Sequence, residues 1–298
     1  SEMEYADLRN ADLRGARLTG ANLDAARLDG AFLATAWLDG ASFLMAHFDE
    51  AFLWETHFEG AMLREAHLEG VHIDRAVFAD SNGVGPQMVD VRWGDANLAT
   101  VDWSRVKILA EEARARETLD AEQLRQTDRL TLVKDMQNVR PADARLALYD
   151  EAVRANRQLA LALRGQGLNE DADRFAYRAQ VLQRTVFRRQ RRYGQYLFSL
   201  FLDGVAGYGY RIQRIGVTYV SALTLFALLY FFIGQASGHP MSVAAAIITS
   251  VTAFHGRVFA GGFTPGDALS WVTAAEAVIG VIVEGVFIAM LTQRFFGR

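Results

Sequence analysis

Residues 6–80 read ADLRN ADLRG ARLTG ANLDA ARLDG AFLAT AWLDG ASFLM AHFDE AFLWE THFEG AMLRE AHLEG VHIDR AVFAD. Leu or Phe recurs at every fifth position from Leu8 to Leu68, and Ile73 and Phe78 continue the phase. Ala stands two places earlier in each unit, except at Thr56 and Val71. A period of five fits neither a 3.6-residue helix nor a two-residue strand alternation, and a repeat overrides residue-by-residue propensities. A small and a large apolar residue that always face inward fit a square coil with one unit per side. Residues twenty apart then stack at the inter-strand spacing of about 4.8 Å. The interior columns this predicts are Leu8, Leu28, Phe48, Leu68, Met88; Leu13, Leu33, Leu53, Ile73, Trp93; Leu18, Leu38, Phe58, Phe78, Leu98; and Leu23, Phe43, Leu63, Gly83, Trp103. Only Gly83 fails, inside Asp80–Pro86, which reads as a loop or a distorted side.

This pattern resembles the pentapeptide-repeat family, A-(D/N)-L-x-x. The resemblance implies a right-handed quadrilateral β-helix with four units per turn. The repeat begins in phase almost at once, no cleavable signal peptide opens the chain, and Ser1-Glu2 reads as an added dipeptide. The tower is expected over residues 1–105.

Outward positions are mostly Asp, Arg, Asn and Glu. The exceptions are Phe32 and Phe52, twenty apart, with Trp54 beside them and Trp37 and Met62 on neighbouring sides. Apolar patches of this kind mark contacts, here with another subunit or with the helices that follow. His47, His57 and His67 are ten apart. His47 and His67 should stack and His57 should lie opposite, so the three cannot converge on one ion. They read as surface histidines, and no metal or cofactor is expected.

Charge divides the chain. Residues 1–105 carry 18 Asp and Glu against 8 Arg, a net −10, whereas residues 106–200 carry 18 Lys and Arg against 13 acids, a net +5. There is no cysteine, which excludes disulfides and Cys-ligated metals. Residues 106–200 are helical in pattern: Lys107–Leu132, a break at Pro141, Ala142–Arg164, a turn at Gly165-Gln-Gly167, then Asp171–Arg192. The second helix ends in Arg184, Arg188, Arg189, Arg191 and Arg192, and Arg211 and Arg214 follow. These stand just before an apolar segment, so contact with anionic membrane lipids is the expected use rather than nucleic acid. Tyr193–Tyr210 reads as an interfacial segment.

Residues 201–298 hold two segments long enough to span a bilayer, 215–234 and 268–292, and a shorter apolar one, 243–254, followed by a loop at 255–267. A hydrocarbon core of about 30 Å needs roughly 20 apolar residues, so the middle segment cannot cross. Span, half-span, loop, span is the layout of a re-entrant pore element. The Arg bias around the first span puts both termini in the cytoplasm.

This module resembles the two-transmembrane pore domain of the tetrameric cation channels. The carriers are Ile248-Thr-Ser-Val-Thr252, Pro265-Gly-Asp267, Glu276-Ala-Val-Ile-Gly280 and Ile288-Ala-Met-Leu-Thr292 with Arg294-Phe295. The resemblance implies a pore helix over 243–254, an inner-helix hinge at Gly280, and a filter over Thr252, Ala253, Phe254, His255, Gly256 and Arg257. Potassium filters read TVGYG. Phe254 replaces the first filter Gly and Arg257 the usual acid, so the architecture carries over and potassium selectivity does not. Glu276, Gly280 and Glu284 share one helix face. Either that face lines an inner cavity, or Glu276 braces the pore helix from behind.

The whole is therefore expected to be a multi-domain membrane protein with a β-helix, an α-helical linker and a two-span pore module. It resembles bacterial pentapeptide-repeat proteins that carry a channel module. The expectation is a homo-oligomeric, cation-permeable channel of the bacterial inner membrane, tetrameric by resemblance, with permeant ions and lipids as partners. The alternative is a membrane-tethered interaction protein, because acidic towers in some family members resemble duplex DNA and bind gyrase. No nucleophile–base pair, phosphate loop or metal-ligand spacing suggests an enzyme.

Overall fold

Each five-residue side of the coil needs one corner, and the chain makes it at residues 5, 10, 15 and onward. Every fifth residue from Tyr5 to Arg75 has a positive φ, between 52° and 68°. Six of these corners are Gly; the others, including Thr35 and Met45, hold a left-handed conformation that costs a side-chain-bearing residue roughly 1–2 kcal/mol. Regular pairing offsets that cost. The Leu8 amide donates to the Arg27 carbonyl at 2.8 Å, and the Arg27 amide donates back to Ala6 at 2.9 Å. Parallel bridges link Asp12 to Phe32, Phe32 to Phe52 and Phe52 to His72, twenty residues at a time. A computed structural model of the chain describes residues 2–116, 141–210, 212–257 and 266–296. Within it the repeats form a square coil whose pairing is a series of isolated bridges. Ala21, Leu23, Ala26, Leu28 and their successors are fully buried. Thr56, one of the two departures from Ala, is also buried, and its hydroxyl donates to the Leu33 carbonyl at 2.8 Å.

The columns change partners after residue 80. Met62 bridges Gln87 and His67 bridges Arg92, a separation of twenty-five. Leu68 donates to the Arg92 carbonyl and Leu63 to that of Gln87. The interior neighbour of Leu68 is thus Trp93 rather than Met88, and Met88 stacks over Leu63. Phe58, Phe78 and Trp103 form one aromatic column, with centroids 5.3 and 5.4 Å apart. The cause is an inserted side. Residues 80–85 turn on the Asp80 carboxylate, which accepts the Asn82 and Val84 amides, and Val84 then bridges Ile108.

The last coil has no coil above it, and side chains take its place. Glu111, in α1 (Ala110–Arg116), accepts the Met88 and Val89 amides at 2.5 and 2.7 Å. From α2 (Pro141–Gly165), Gln158 accepts the Asp90 amide. Gln166, in the turn after it, accepts the Leu98 amide and donates to the Ala96 carbonyl. Arg174 of α3 (Asn169–Arg189) donates to the Trp103 carbonyl at 2.5 Å, and Phe175 meets the Trp103 ring edge-on. Pro141 opens α2, where its missing N–H is no loss. Gly167, at φ 78°, closes α2 as the Leu168 amide reaches back to Leu163. Ala155, Leu159, Leu163, Ala172 and Phe175 join the core of the coil.

Residues 1–196 are in consequence one compact unit, not a tower of 1–105 and a separate linker, and residues 197–298 are the other. The expected helix over Lys107–Leu132 lies outside the described residues beyond Arg116. The second unit contains most of α4 (Tyr193–Ala206), then α5 (Ile212–Ala236), α6 (Val243–Phe254) and α7 (Ala268–Phe296). Gln213–Ala236 and Ala268–Met290 are long and apolar enough to cross a membrane.

The Glu111 cap titrates. Burial pushes its carboxyl from the ordinary 4.5 up to about 7, against the pull of the amides it accepts. A folded-state value above the unfolded one means that the folded chain holds this proton more tightly. The contribution of Glu111 to stability should then be fully present below pH 4.5 and be lost as pH rises to about 7, by on the order of 3 kcal/mol. Glu111→Gln should flatten that fall when thermal unfolding of residues 1–196 in the full chain is followed by circular dichroism from pH 4.5 to 8. An unchanged slope would show that Glu111 is not the titrating cap.

Candidate functional site

In the second unit the short helix α6 packs between α5 and α7. Ser242 caps its start by accepting the Ala245 amide. Ala246, Ser250, Ala253 and Phe254 form its buried face, while Val243, Ile247, Ile248 and Val251 stay exposed. Spacings of three and four explain both stripes.

Two contacts fix α6 to α7. The Ser250 hydroxyl donates to Glu276 Oε1 at 2.5 Å and lies 3.1 Å from the Leu223 carbonyl of α5. Glu276 is fully buried there, in the bracing position behind α6. One turn further on, Gly280 meets the end of α6 so closely that a Cβ would stand 1.9 Å from the Phe254 carbonyl oxygen. Its lack of a side chain is a packing requirement, and α7 runs as one helix through it. Thr273, hydrogen-bonded to Tyr230 at 3.1 Å, has no role in the sequence reading, and Ser250 enters it only as part of the motif 248–252.

The expected filter takes a different form. Thr252, Ala253 and Phe254 are the last turn of α6. Gly256, at φ 68°, closes it: its amide donates to Ala253 and that of Arg257 donates to Thr252. This is a Schellman-type helix end, so the Thr252 and Ala253 carbonyls are engaged within the chain. Phe254 is buried with its ring edge-on to Tyr219. His255 and Arg257 are exposed beyond it. A hydration-replacing filter needs extended backbone with free carbonyls, and Thr252–Phe254 do not supply one.

Beneath the end of α6 lies a cavity of about 530 Å³ lined by Ile215, Gly216, Tyr219, His255, Val283, Glu284, Phe287 and Ile288. Glu284 faces His255 Nε2 at 3.5 Å, and both are part-exposed. It is therefore separated in role from Glu276 and Gly280, although all three share a face of α7.

Elsewhere in this unit Arg214 donates to the Asp203 carboxylate and carbonyl at 2.8 and 2.9 Å, tying α5 to α4. Arg211 lies outside the described residues. In the first unit Arg188, Arg191 and Arg192 are exposed, and Arg189 packs over the Tyr149 ring. The outward aromatics form ladders. Phe32 stacks on Phe52 at 5.0 Å and Phe52 on His72 at 4.8 Å, and Trp37 stacks on His57 at 4.2 Å. Trp54 is exposed and Met62 part-buried.

Residues 3–43 and 46–80 match the family described as pentapeptide repeats, in eight copies. Among solved structures, the chain is similar to a pentapeptide repeat protein (Rfr23) from the cyanobacterium Cyanothece 51142, with 25% identity and a TM-score of 0.29 over 31% of this chain and 59% of that one. It is also similar to HetL, a pentapeptide repeat protein involved in heterocyst differentiation regulation from Nostoc sp. strain PCC 7120, with 21% identity and a TM-score of 0.20 over 34% and 59%. A third is QnrB1, a plasmid-mediated fluoroquinolone resistance protein, with 19% identity and a TM-score of 0.21 over 41% and 63%. The chain spans about three-fifths of the length of these structures. No curated protein matches it.

The Gly280 contact separates packing from hinging. Gly280→Ala should destabilise the second unit by roughly 1–3 kcal/mol through overpacking. Gly285→Ala, on the same helix with nothing within 4 Å of its Cβ, should be neutral or mildly stabilising. Thermal unfolding in detergent reads both. Equal stability of the two variants would rule out the packing role.

Proposed function

We propose that this pentapeptide-repeat protein is anchored in a membrane by its C-terminal unit, which assembles into a ring around an ion path. The observation that carries the reading is the polar end of α6. Twelve residues of helix reach only about 18 Å, so α6 enters the bilayer and stops within it. His255, Gly256 and Arg257 then sit at depth, beside Glu284, which is about 24 Å along α7 from Ala268. Irregular backbone and ionisable groups are tolerated there only against protein or water. The cavity below α6 is open on one side and bordered by His255 and Glu284, so that water can reach both side chains.

One subunit cannot enclose such a path. Val243, Ile247, Ile248 and Val251 of α6 and Trp271, Val278, Val281 and Ile282 of α7 are exposed apolar surface for neighbours or lipid. A closed ring is the symmetric solution, and four subunits follow from the resemblance. The C-terminal end of α6 carries partial negative charge, and Glu284 adds a carboxylate below it, so cations are favoured. Arg257 opposes them. Both termini face the cytoplasm of a bacterial inner membrane, with Arg188, Arg189, Arg191 and Arg192 against anionic headgroups. The chain works without enzymatic chemistry.

The second reading, a membrane-tethered interaction protein, is favoured by the Phe32–Phe52–His72 ladder on the acidic repeats. Purified full-length protein in planar bilayers decides between them. Conduction predicts cation current that Glu284→Gln lowers and Arg257→Ala raises. An intact oligomer that passes no current would leave the tethered reading.

A further inference from the structure

The outward face of the coil repeats as a grid. In each unit the residues on either side of the inward one point the same way, and the residues twenty later stand above them. His47 and Asp49 flank the inward Phe48, and His67 bridges His47 one coil on. Their imidazole centroids are 4.2 Å apart. One donor atom from each of His47, Asp49 and His67 lies within 4.8 Å of the others, and His47 Nδ1 is 3.6 Å from Asp49 Oδ2. A tetrahedral ion bonded at about 2.0–2.1 Å sets its donors about 3.3 Å apart, a closure within reach of small side-chain rotations.

We propose that His47, Asp49 and His67 bind a divalent transition-metal ion of the Zn2+ type, with water or Glu69 completing the coordination, and so clamp two consecutive coils. Three features support this besides distance. The donor set, two imidazoles and a carboxylate, suits zinc, nickel or cobalt rather than calcium or magnesium. Asp49 is oriented: its Oδ1 accepts the Glu69 amide at 3.1 Å, which leaves Oδ2 to the ion. The backbone is rigid, because the His47 amide donates to Ala26 and the His67 amide to Ala46. Two cations border the site, and Arg92 is the one that bridges His67 on the next coil. Arg27, one coil below, pairs with Asp29 at 3.4 Å.

The histidines ten apart do not converge, since His57 lies on another face. The third ligand is instead the carboxylate two residues from His47. The corresponding square around His57 is an internal control. There Trp37 stands where a second imidazole would, stacked on His57, and the remaining corners are Asp39 and Glu59. Asp39, His57 and Glu59 also bring donor atoms within 4.8 Å of one another, but they offer one imidazole in place of two.

The clamp is independent of any conduction by the C-terminal unit. Untagged full-length protein in detergent is titrated with Zn2+ against a chromogenic chelator, and with Co2+ for its tetrahedral absorption bands. One ion should bind per chain, and Zn2+ should raise the thermal midpoint of the first unit, since the ion binds only the folded coil. His47→Gln, Asp49→Asn and His67→Gln should each weaken binding by about tenfold or more, while His57→Gln leaves it unchanged. All four residues point outward, and far-ultraviolet circular dichroism confirms that each variant is folded. Binding that survives His67→Gln, or is lost on His57→Gln instead, overturns the proposal, as does a wild type that binds no tighter than the His47→Gln variant.

Discussion

Each side of this β-helix donates some of its amides to the coil above and others to the coil below, and the last coil has none above it. Met88, Val89, Asp90 and Leu98 present four such amides, and Glu111, Gln158 and Gln166 accept all of them. A buried amide left unpaired costs about 1–3 kcal/mol. Four of them would consume much of the 5–15 kcal/mol, roughly, by which a domain is stable. The helices after residue 105 are thus the end of the repeat structure rather than a linker from it. Glu112 shows the same dependence. It is fully buried, and Arg178 and Arg116 both pair with it.

The pentad was legible because it is written in residue size. Ala and Leu face a narrow interior, and no other period accounts for their spacing. The change of partners at residue 80 was not legible, for a physical reason. An insertion of five residues keeps the pentad phase while advancing the coil by one side. Met88, Trp93 and Leu98 still fall on inward positions after it, so the columns drawn at twenty stayed apolar although their partners had moved. Only Gly83, with no side chain to fill the interior, marked the place. The capping Gln158 and Gln166 gave no sign in the sequence, because a surface glutamine and a capping one look alike until the fold places them.

The apolar lengths of the C-terminal unit were legible for the same reason as the pentad, since they depend only on composition and count. The roles of single residues within them were not. Gly280 could serve as a hinge or as a place of contact, and the sequence of α7 is the same for both. The distance to the Phe254 carbonyl decides for contact. Gly256 likewise could stand in an extended filter or end a helix. The amides of Gly256 and Arg257 reach back into the last turn of α6, which makes it a helix end.

Function on the repeats follows from adjacency across coils, which linear spacing hides. Like residues ten apart attract attention, but a grid whose rows are twenty apart puts residues i, i+2, i+20 and i+22 at the corners of one square. Arg9 pairs with Asp7 along an edge of such a square, and Phe32 stacks on Phe52 along another. Where the corners are His47, Asp49, His67 and Glu69, four possible ligands meet on a backbone that cannot yield. Where they are Trp37, Asp39, His57 and Glu59, a ring stack stands in the place of one imidazole ligand. The difference between a metal clamp and a ring stack is one residue on the same scaffold, and the scaffold's rigidity makes that residue decisive.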